Sequence, residues 1–247
     1  VTFDGNGGTY VSGLNTISVK FDDQFWSTRL PRYVRDGYHI NYHQFIEINI
    51  EKDMVIEIPW EPNQYSIVFD GNGATNHVNM DNQLINYDDK VKLIKNLYTK
   101  DGYEFIGWST SKDGEVVYQD QDEILNLTAK DYNTINLFAI FKARTDIPYK
   151  IEFYFENLHD DDYTYDTSRT LNLEGETDQT VKALNFIPTI EHYVYNSNKS
   201  NDSGVLLPDG SLVLKIYFDV ERFTVNFNFQ KGSLSEGKQS QSIKYQG

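Results

Sequence analysis

The chain has 247 residues and no cysteine, and its net charge is −15, from 22 Lys and Arg against 37 Asp and Glu. An acidic chain repels phosphate backbones and anionic lipid surfaces, which argues against nucleic acid and membranes as partners. The lack of cysteine excludes disulfides and thiolate chemistry, and no apolar run reaches a membrane-spanning length.

The first predicted elements flank the stretch DGNGG, at Asp4 to Gly8. Residues 1–3 read as a strand, and a second strand is predicted near residues 16–21. Asn-Gly and Gly-Gly tolerate the positive φ of tight turns, so we predict a hairpin turn that holds no metal. A calcium loop of the EF-hand type would need Gly at its sixth position and Glu at its twelfth. Those positions hold Thr9 and Asn15.

Two histidines follow in the first part of the chain, His39 and His43, four residues apart. On a helix they could share a metal ion. The segment 38–50, however, is rich in aromatic and β-branched residues and is predicted to be a strand. No Glu follows His39 as it does in the zinc-binding HExxH pattern, so we predict no metal here.

The chain repeats itself in order, which is the main clue to its organisation. DGNGG returns as DGNGA at residues 70–74, an offset of 66. The triplet Asp-Gly-Tyr at 36–38 returns at 101–103, and a third copy opens at residues 225–227. We therefore predict two repeats and the first hairpin of a third, in a chain that looks like an interior piece of a longer protein.

A different pattern lies between the second and third copies. It opens with an alternating strand at residues 149–155 and closes with another at residues 210–218. Its densest acidic stretch is His159 to Asp162. Clustered carboxylates suit hard cations, but the flanking alternation favours a solvated hairpin tip.

The second copy carries a specific signature. IVFDGNG at 67–73 is followed by GYEFIGW at 102–108, then LTA at 127–129 and LFAIF at 137–141. This pattern resembles the Listeria/Bacteroides-type surface repeat, the family that includes the internalin B-repeat. The resemblance implies a compact β-grasp-like module that occurs in tandem in bacterial surface and secreted proteins. The first copy departs from it, because HINYH stands where Phe-x-Gly-Trp is expected. The unit between the copies resembles mucin-binding-type adhesin modules.

Three aromatic residues of the second copy could contact a ligand: Tyr103, Phe105 and Trp108. Strand alternation places Tyr103 and Phe105 on one face, and Gly107 can redirect Trp108. The opposing interpretation is that they form core, because a small module has few other large residues to bury. We favour core and expect Trp108 to be essential for folding.

No catalytic constellation is present: the chain has no nucleophile elbow, P-loop or dinucleotide fingerprint. We therefore expect a chain that is not an enzyme, with no catalytic, cofactor-binding or metal-binding residues. We expect a fold class that is mainly β (α+β at most), as an elongated array of the tandem β-grasp-like modules that the resemblance implies. The predicted segments are the first repeat (1–63), the second repeat (64–145), the middle module (146–221) and the C-terminal hairpin (222–247).

The predicted function is a stalk or spacer in an extracellular adhesin-like protein, bound to a bacterial surface or secreted. A host surface protein or glycan is the expected partner class, and the chain is expected to be monomeric. The alternative is a set of accessory binding modules attached to a secreted enzyme whose catalytic domain lies elsewhere.

Overall fold

A computed structural model describes residues 1–20, 30–45, 48, 50–228, 230, 232, 234 and 237–245. These residues are mainly β, as predicted, and their helical structure consists of short 3₁₀ turns. The chain divides into two compact units, residues 1–100 with 105–141, and residues 101–104 with 142–247.

The first repeat contains short strands and a 3₁₀ turn at Tyr42–Phe45. The strands are β1 (Thr2–Asp4), β2 (Thr9–Ser12), β3 (Arg32–Val34), β4 (Tyr38–Ile40), β5 (Val55–Glu57) and β6 (Trp60–Pro62). The strand predicted across residues 38–50 ends at Ile40, because Asn41 accepts a hydrogen bond from the backbone N–H of His43 and the chain enters the 3₁₀ turn. Residues 46, 47 and 49 lie outside the described residues. The strand predicted near residues 16–21 is reduced to one bridge, Thr2 to Thr16, and residues 21–29 lie outside the described residues.

The second repeat is built on a four-stranded mixed sheet. Its strands are β7 (Gln64–Asp70), β8 (Gln83–Asn86), β9 (Val91–Lys92), β10 (Tyr103–Ser109), β11 (Glu123–Ile124) and β12 (Asn133–Ala143). The sheet order is β8-β7-β12-β10, in which β7 pairs antiparallel with β8 and parallel with β12. Along β7 the buried residues alternate with half-buried ones, which gives the sheet one core face.

The middle module has the same strand order although its sequence differs. Its strands are β13 (Ile147–Glu156), β14 (Tyr163–Gly175), β15 (Thr180–Lys182), β16 (Tyr193–Tyr195), β17 (Ser203–Val205) and β18 (Val213–Val220), with a 3₁₀ turn at Ala183–Phe186. The order is β14-β13-β18-β16, with β13 antiparallel to β14 and parallel to β18. Only tertiary pairing reveals that the two sequence types share this arrangement.

The C-terminal hairpin pairs β19 (Arg222–Asn226) with β20 (Ser240–Lys244) in antiparallel register. A hairpin therefore lies where the sequence predicts that a third copy opens. The buried hydrophobic residues of the described chain form three clusters, which span residues 3–58, 65–139 and 147–218. Each cluster lies within one predicted segment.

Candidate functional site

The structure places Trp108 in the core. Its side chain is 0% exposed, and its ring packs edge-on against those of Phe69 and Phe105, with centroids 4.9 and 5.1 Å away. Phe105 is half-buried and also contacts Phe141. Gly107, with φ of 142°, lets the strand turn Trp108 inward. A ring with no exposed surface cannot stack on a sugar, so the geometry of Trp108 favours the core interpretation.

Tyr103 belongs to the second compact unit and has a different role from Phe105 and Trp108. Its hydroxyl donates a hydrogen bond to Asp178 at 2.7 Å. This bond, followed by partial burial, raises the pKa of Tyr103 above its usual value. Tyr103 therefore fixes a contact inside the second unit.

The two DGNG stretches form turns with the same backbone conformation. Asn6 and Gly7 have φ of 45° and 83°, and Asn72 and Gly73 have 45° and 87°. In both copies an amide closes the turn on the carbonyl three residues earlier, Gly8 to Gly5 and Ala74 to Gly71. As predicted, the second stretch lies in the connection between two antiparallel strands, β7 and β8, but it does not close a tight hairpin, because β8 begins only at Gln83. In the first repeat the antiparallel pairing is limited to the bridge between Thr2 and Thr16. The strands that precede the two turns, β1 and β7, also pair in parallel with the last part of each repeat.

The Asn side chain of each DGNG stretch anchors the turn to that parallel neighbour. The amide of Asn6 donates to the carbonyl of Ile58 at 3.2 Å, and that of Asn72 donates to the carbonyl of Ala139 at 3.0 Å. Ile58 and Ala139 occupy equivalent positions in the two repeats. The Asp side chain of each stretch accepts a hydrogen bond from the backbone N–H of the Asn, at 2.9 and 2.7 Å. The motif therefore turns the chain and also hydrogen-bonds the turn to the parallel neighbouring strand.

Because these Asp and Asn side chains already have partners, we expect Asp4→Ala and Asp70→Ala to leave calcium binding unchanged. The substitutions should instead cost about 1 kcal/mol each, the value of one net hydrogen bond. Isothermal calorimetry with CaCl₂ on the full chain tests the first point and urea unfolding the second. Tight calcium binding that disappears in Asp70→Ala would contradict the assignment as a turn.

His39 and the acidic stretch also have partners. His39 Nδ1 lies 2.9 Å from the side-chain oxygen of Asn63, and its Nε2 lies 3.5 Å from Glu61. His159 to Asp162 form the tip of the β13–β14 hairpin, as predicted, because Glu156 pairs with Tyr163. Among the described residues no group of three or more His, Asp or Glu is arranged to hold a metal ion.

A hydrogen-bonded joint recurs where one segment meets the next. In the first unit the amide of Asn63 donates to the carbonyl of Gly37, and the amide of Tyr87 donates to the carbonyl of Asn63, both at 2.8 Å. Asn63 thus bridges a turn of the first repeat and a residue of the second with its own peptide groups. Backbone groups satisfied in this way hold a linker in one path.

The same pair of bonds occurs twice inside the second unit. The amide of Arg144 donates to Gly102, and that of Thr177 donates to Arg144, both at 2.9 Å. At the C-terminal hairpin, Glu221 donates to His192 at 2.8 Å and accepts from Tyr245 at 2.9 Å. The three linker residues have this role in common although their side chains are of different types: Asn63, Arg144 and Glu221.

The turn residue of each joint packs against the residue whose backbone N–H donates to the linker carbonyl. A Cβ on Gly37 would overlap the ring of Tyr87, and one on Gly102 would lie 2.7 Å from Thr177. His192 occupies the same place and stacks on Tyr245, with ring centroids 3.6 Å apart. All three turn residues have positive φ, 76°, 74° and 63°. Glycine is thus required at positions 37 and 102, where the partner occupies the place of a Cβ, whereas the third joint accommodates His192.

Side-chain hydrogen bonds also stabilise the first two joints. The hydroxyl of Tyr38 donates to Asp88 at 2.5 Å, which matches the bond between Tyr103 and Asp178. This bond raises the pKa of Tyr38 and lowers that of Asp88. The Tyr residues belong to the repeated Asp-Gly-Tyr triplets, whereas the Asp partners come from the following segment. The repeat pattern identified the triplets but gave no indication of their partners.

The third joint is held by an ionic group instead. Glu156 is 3% exposed and accepts hydrogen bonds from Arg222 and from the amide of Val220. Burial acts to raise its pKa, but the bonds from Arg222 and Lys244 outweigh it and lower the pKa of Glu156 to about 2. Because this value is depressed, the contribution to stability is complete above about pH 4.5 and is lost as the pH falls through about 2.

A tyrosine ladder crosses the outer face of the middle-module sheet. Tyr154 stacks on Tyr165 and Tyr217, its register partners on both sides, with centroids 5.1 and 4.9 Å apart. Lys215 lies 5.7 Å from the Tyr154 ring centroid. Since the rings use their faces on one another, the ladder stabilises the sheet and leaves little ring face for a sugar.

Comparison with known proteins identifies part of this architecture. Residues 65–131 match the family model of the Listeria-Bacteroides repeat domain. A protein of Evansella cellulosilytica, provisionally named a membrane protein, is 27% identical over 120 residues, which cover 46% of this chain and 18% of that protein. The chain therefore spans a small part of the relative it matches. In the part of the chain that the structure describes, no helix is both long and apolar enough to cross a membrane.

Proposed function

We propose that this chain is a non-catalytic stalk or spacer region of an extracellular bacterial protein of the adhesin type, bound to the cell surface or secreted. The observation that carries the proposal is the recurring joint at Asn63, Arg144 and Glu221. A spacer must transmit position from one module to the next. Linkers whose peptide groups are bonded on both sides do this, whereas free linkers do not.

The family match supports this proposal for the second repeat, because the matched domain is a repeat. The mixed sheets of the second repeat and the middle module support a β-grasp-like fold for both. We take the internalin B-repeat and mucin-binding-type modules as functional analogies for this proposal. The acidic surface, with a net charge of −15, keeps such a chain soluble and discourages self-association.

We expect the full chain to be monomeric and elongated in solution. Pro62 and Pro148 fix φ close to the linker residues Asn63 and Arg144. Repeated modules contact mainly their neighbours along the chain. Small-angle X-ray scattering should therefore give a maximum dimension well above that of a compact globule of 28.7 kDa. A compact scattering profile, or hydrolase activity of this chain alone, would overturn the proposal. Binding to a glycan array or a host-protein panel would favour an accessory binding role instead.

A further inference from the structure

The middle module ends its sheet differently from the first two repeats. In the repeats, the DGNG turn ends the first strand at Asp4 or Asp70. The middle module lacks that turn, and β13 continues to Glu156. Because β13 runs parallel to β18, this extension brings a carboxylate to the end of the sheet where the linker leaves, beside Val220. Neither repeat places an acidic residue there from its first strand.

The buried carboxylate is matched by two cations of the C-terminal hairpin. Arg222 Nη1 and Nη2 lie 3.0 and 2.7 Å from the two oxygens of Glu156, a bidentate pair. The ammonium of Lys244 lies 2.8 Å from Glu156. A carboxylate that is almost fully buried needs such partners, because an unpaired charge in this position is strongly destabilising.

The hairpin tip of the middle module completes the site for Lys244. Its Nζ is 2.8 Å from Asp161 Oδ1, 2.5 Å from the carbonyl of Asp160 and 3.3 Å from the carbonyl of Asn157. With Glu156, four oxygens surround one ammonium. The acidic stretch that the sequence marked as a candidate cation site is therefore filled by a lysine of the next segment.

The second repeat has neutral residues at the corresponding positions. Arg222 and Lys244 are register partners on β19 and β20, as Gln64 and Asn86 are on β7 and β8. The Gln64 side chain donates to that of Asn86 at 2.9 Å. A neutral pair that satisfies itself cannot neutralise Glu156.

We infer that Glu156 and the acidic tip of the β13–β14 hairpin form a docking site that selects which repeat can follow the middle module. It accepts a following repeat that opens with a basic register pair and rejects one that opens with a neutral pair. The common backbone joint then permits docking of any module, while the side chains decide which module follows. This inference rests on the proposed stalk function, since it assigns the order of modules within the stalk.

The test exchanges the register pair in the full chain. Arg222→Gln with Lys244→Asn gives the C-terminal hairpin the pair of the second repeat. Amides of residues 222–226 and 240–244 should then exchange hydrogen on the order of 100-fold faster, because a buried carboxylate has lost both partners and an isolated hairpin is marginal in water. Glu156→Gln should reduce the protection of the same amides to a comparable extent. Adding Glu156→Gln to the double variant should reduce their protection no further.

Two controls make the result decisive. Amides of β13 and β18 should stay protected in the double variant, because both substitutions lie outside the middle module. Asp88→Ala removes the acceptor of the Tyr38 hydroxyl at the first joint and should leave the C-terminal hairpin protected. Unchanged hairpin protection in the double variant would overturn the inference. That outcome would leave the stalk proposal standing, because the stalk proposal rests on the backbone joints and is tested separately, by the scattering profile and by activity assays.

Discussion

Trp108→Ala is expected to unfold the second repeat. The side chain is 0% exposed and is among the largest fully buried in the described chain, and large-to-small changes at such aromatic residues cost on the order of 3–5 kcal/mol. A domain of this size has about 5–10 kcal/mol of stability to lose. Hydrogen exchange of the β7 and β12 amides should approach that of an unfolded chain, and far-UV circular dichroism should show the loss of strand.

Two comparison variants separate core from surface. Trp108→Phe keeps most of the apolar volume and removes the indole Nε1–H, which has no hydrogen-bond partner in the described structure. It should therefore cost much less than Trp108→Ala. Tyr132, 84% exposed, is the matched aromatic control, and Tyr132→Ala should change stability by no more than about 0.5 kcal/mol. A Trp108→Ala protein that melts like the parent and loses a sugar ligand would restore the binding-platform interpretation.

Gly37→Ala is expected to open the first joint. Two costs combine there: a φ of 76°, worth about 1–2 kcal/mol for an L-residue, and overlap of the new Cβ with the Tyr87 ring. The amides of Asn63 and Tyr87, which form the joint, should therefore lose most of their protection from hydrogen exchange.

Gly73 supplies the matched control for that prediction. Its φ is 87°, and a Cβ there would meet nothing within 4 Å, so Gly73→Ala reports backbone strain alone. The excess cost of Gly37→Ala over Gly73→Ala should disappear when Tyr87 is also changed to Ala, as a double-mutant cycle would show. Equal costs for the two glycine variants would mean that the contact with Tyr87 contributes nothing.

The sequence alone predicts the roles of some candidate residues and not of others. Burial of Trp108 was predictable, because a small module needs its largest apolar side chain inside. The roles of Glu156 and Asn63 were not predictable. Glu156 looked like one of many acidic residues, and its burial depends on Arg222 and Lys244, which are 66 and 88 positions away. A signal for the third joint was present in His192-Tyr193, which repeats the turn-Tyr order of Gly37-Tyr38 and Gly102-Tyr103.

The sequence by itself determined the local features of this protein. Apolar alternation specified strands such as 149–155, and DGNG specified positive-φ turns, since both depend on neighbouring residues alone. Only the tertiary structure decided what those elements meet. The DGNG turns lead away from β1 and β7, whose parallel partners lie 53 and 68 residues later, at Val55 for Thr2 and at Asn133 for Tyr65. Parallel pairing leaves no turn signature in the chain, because its register depends on packing between distant residues.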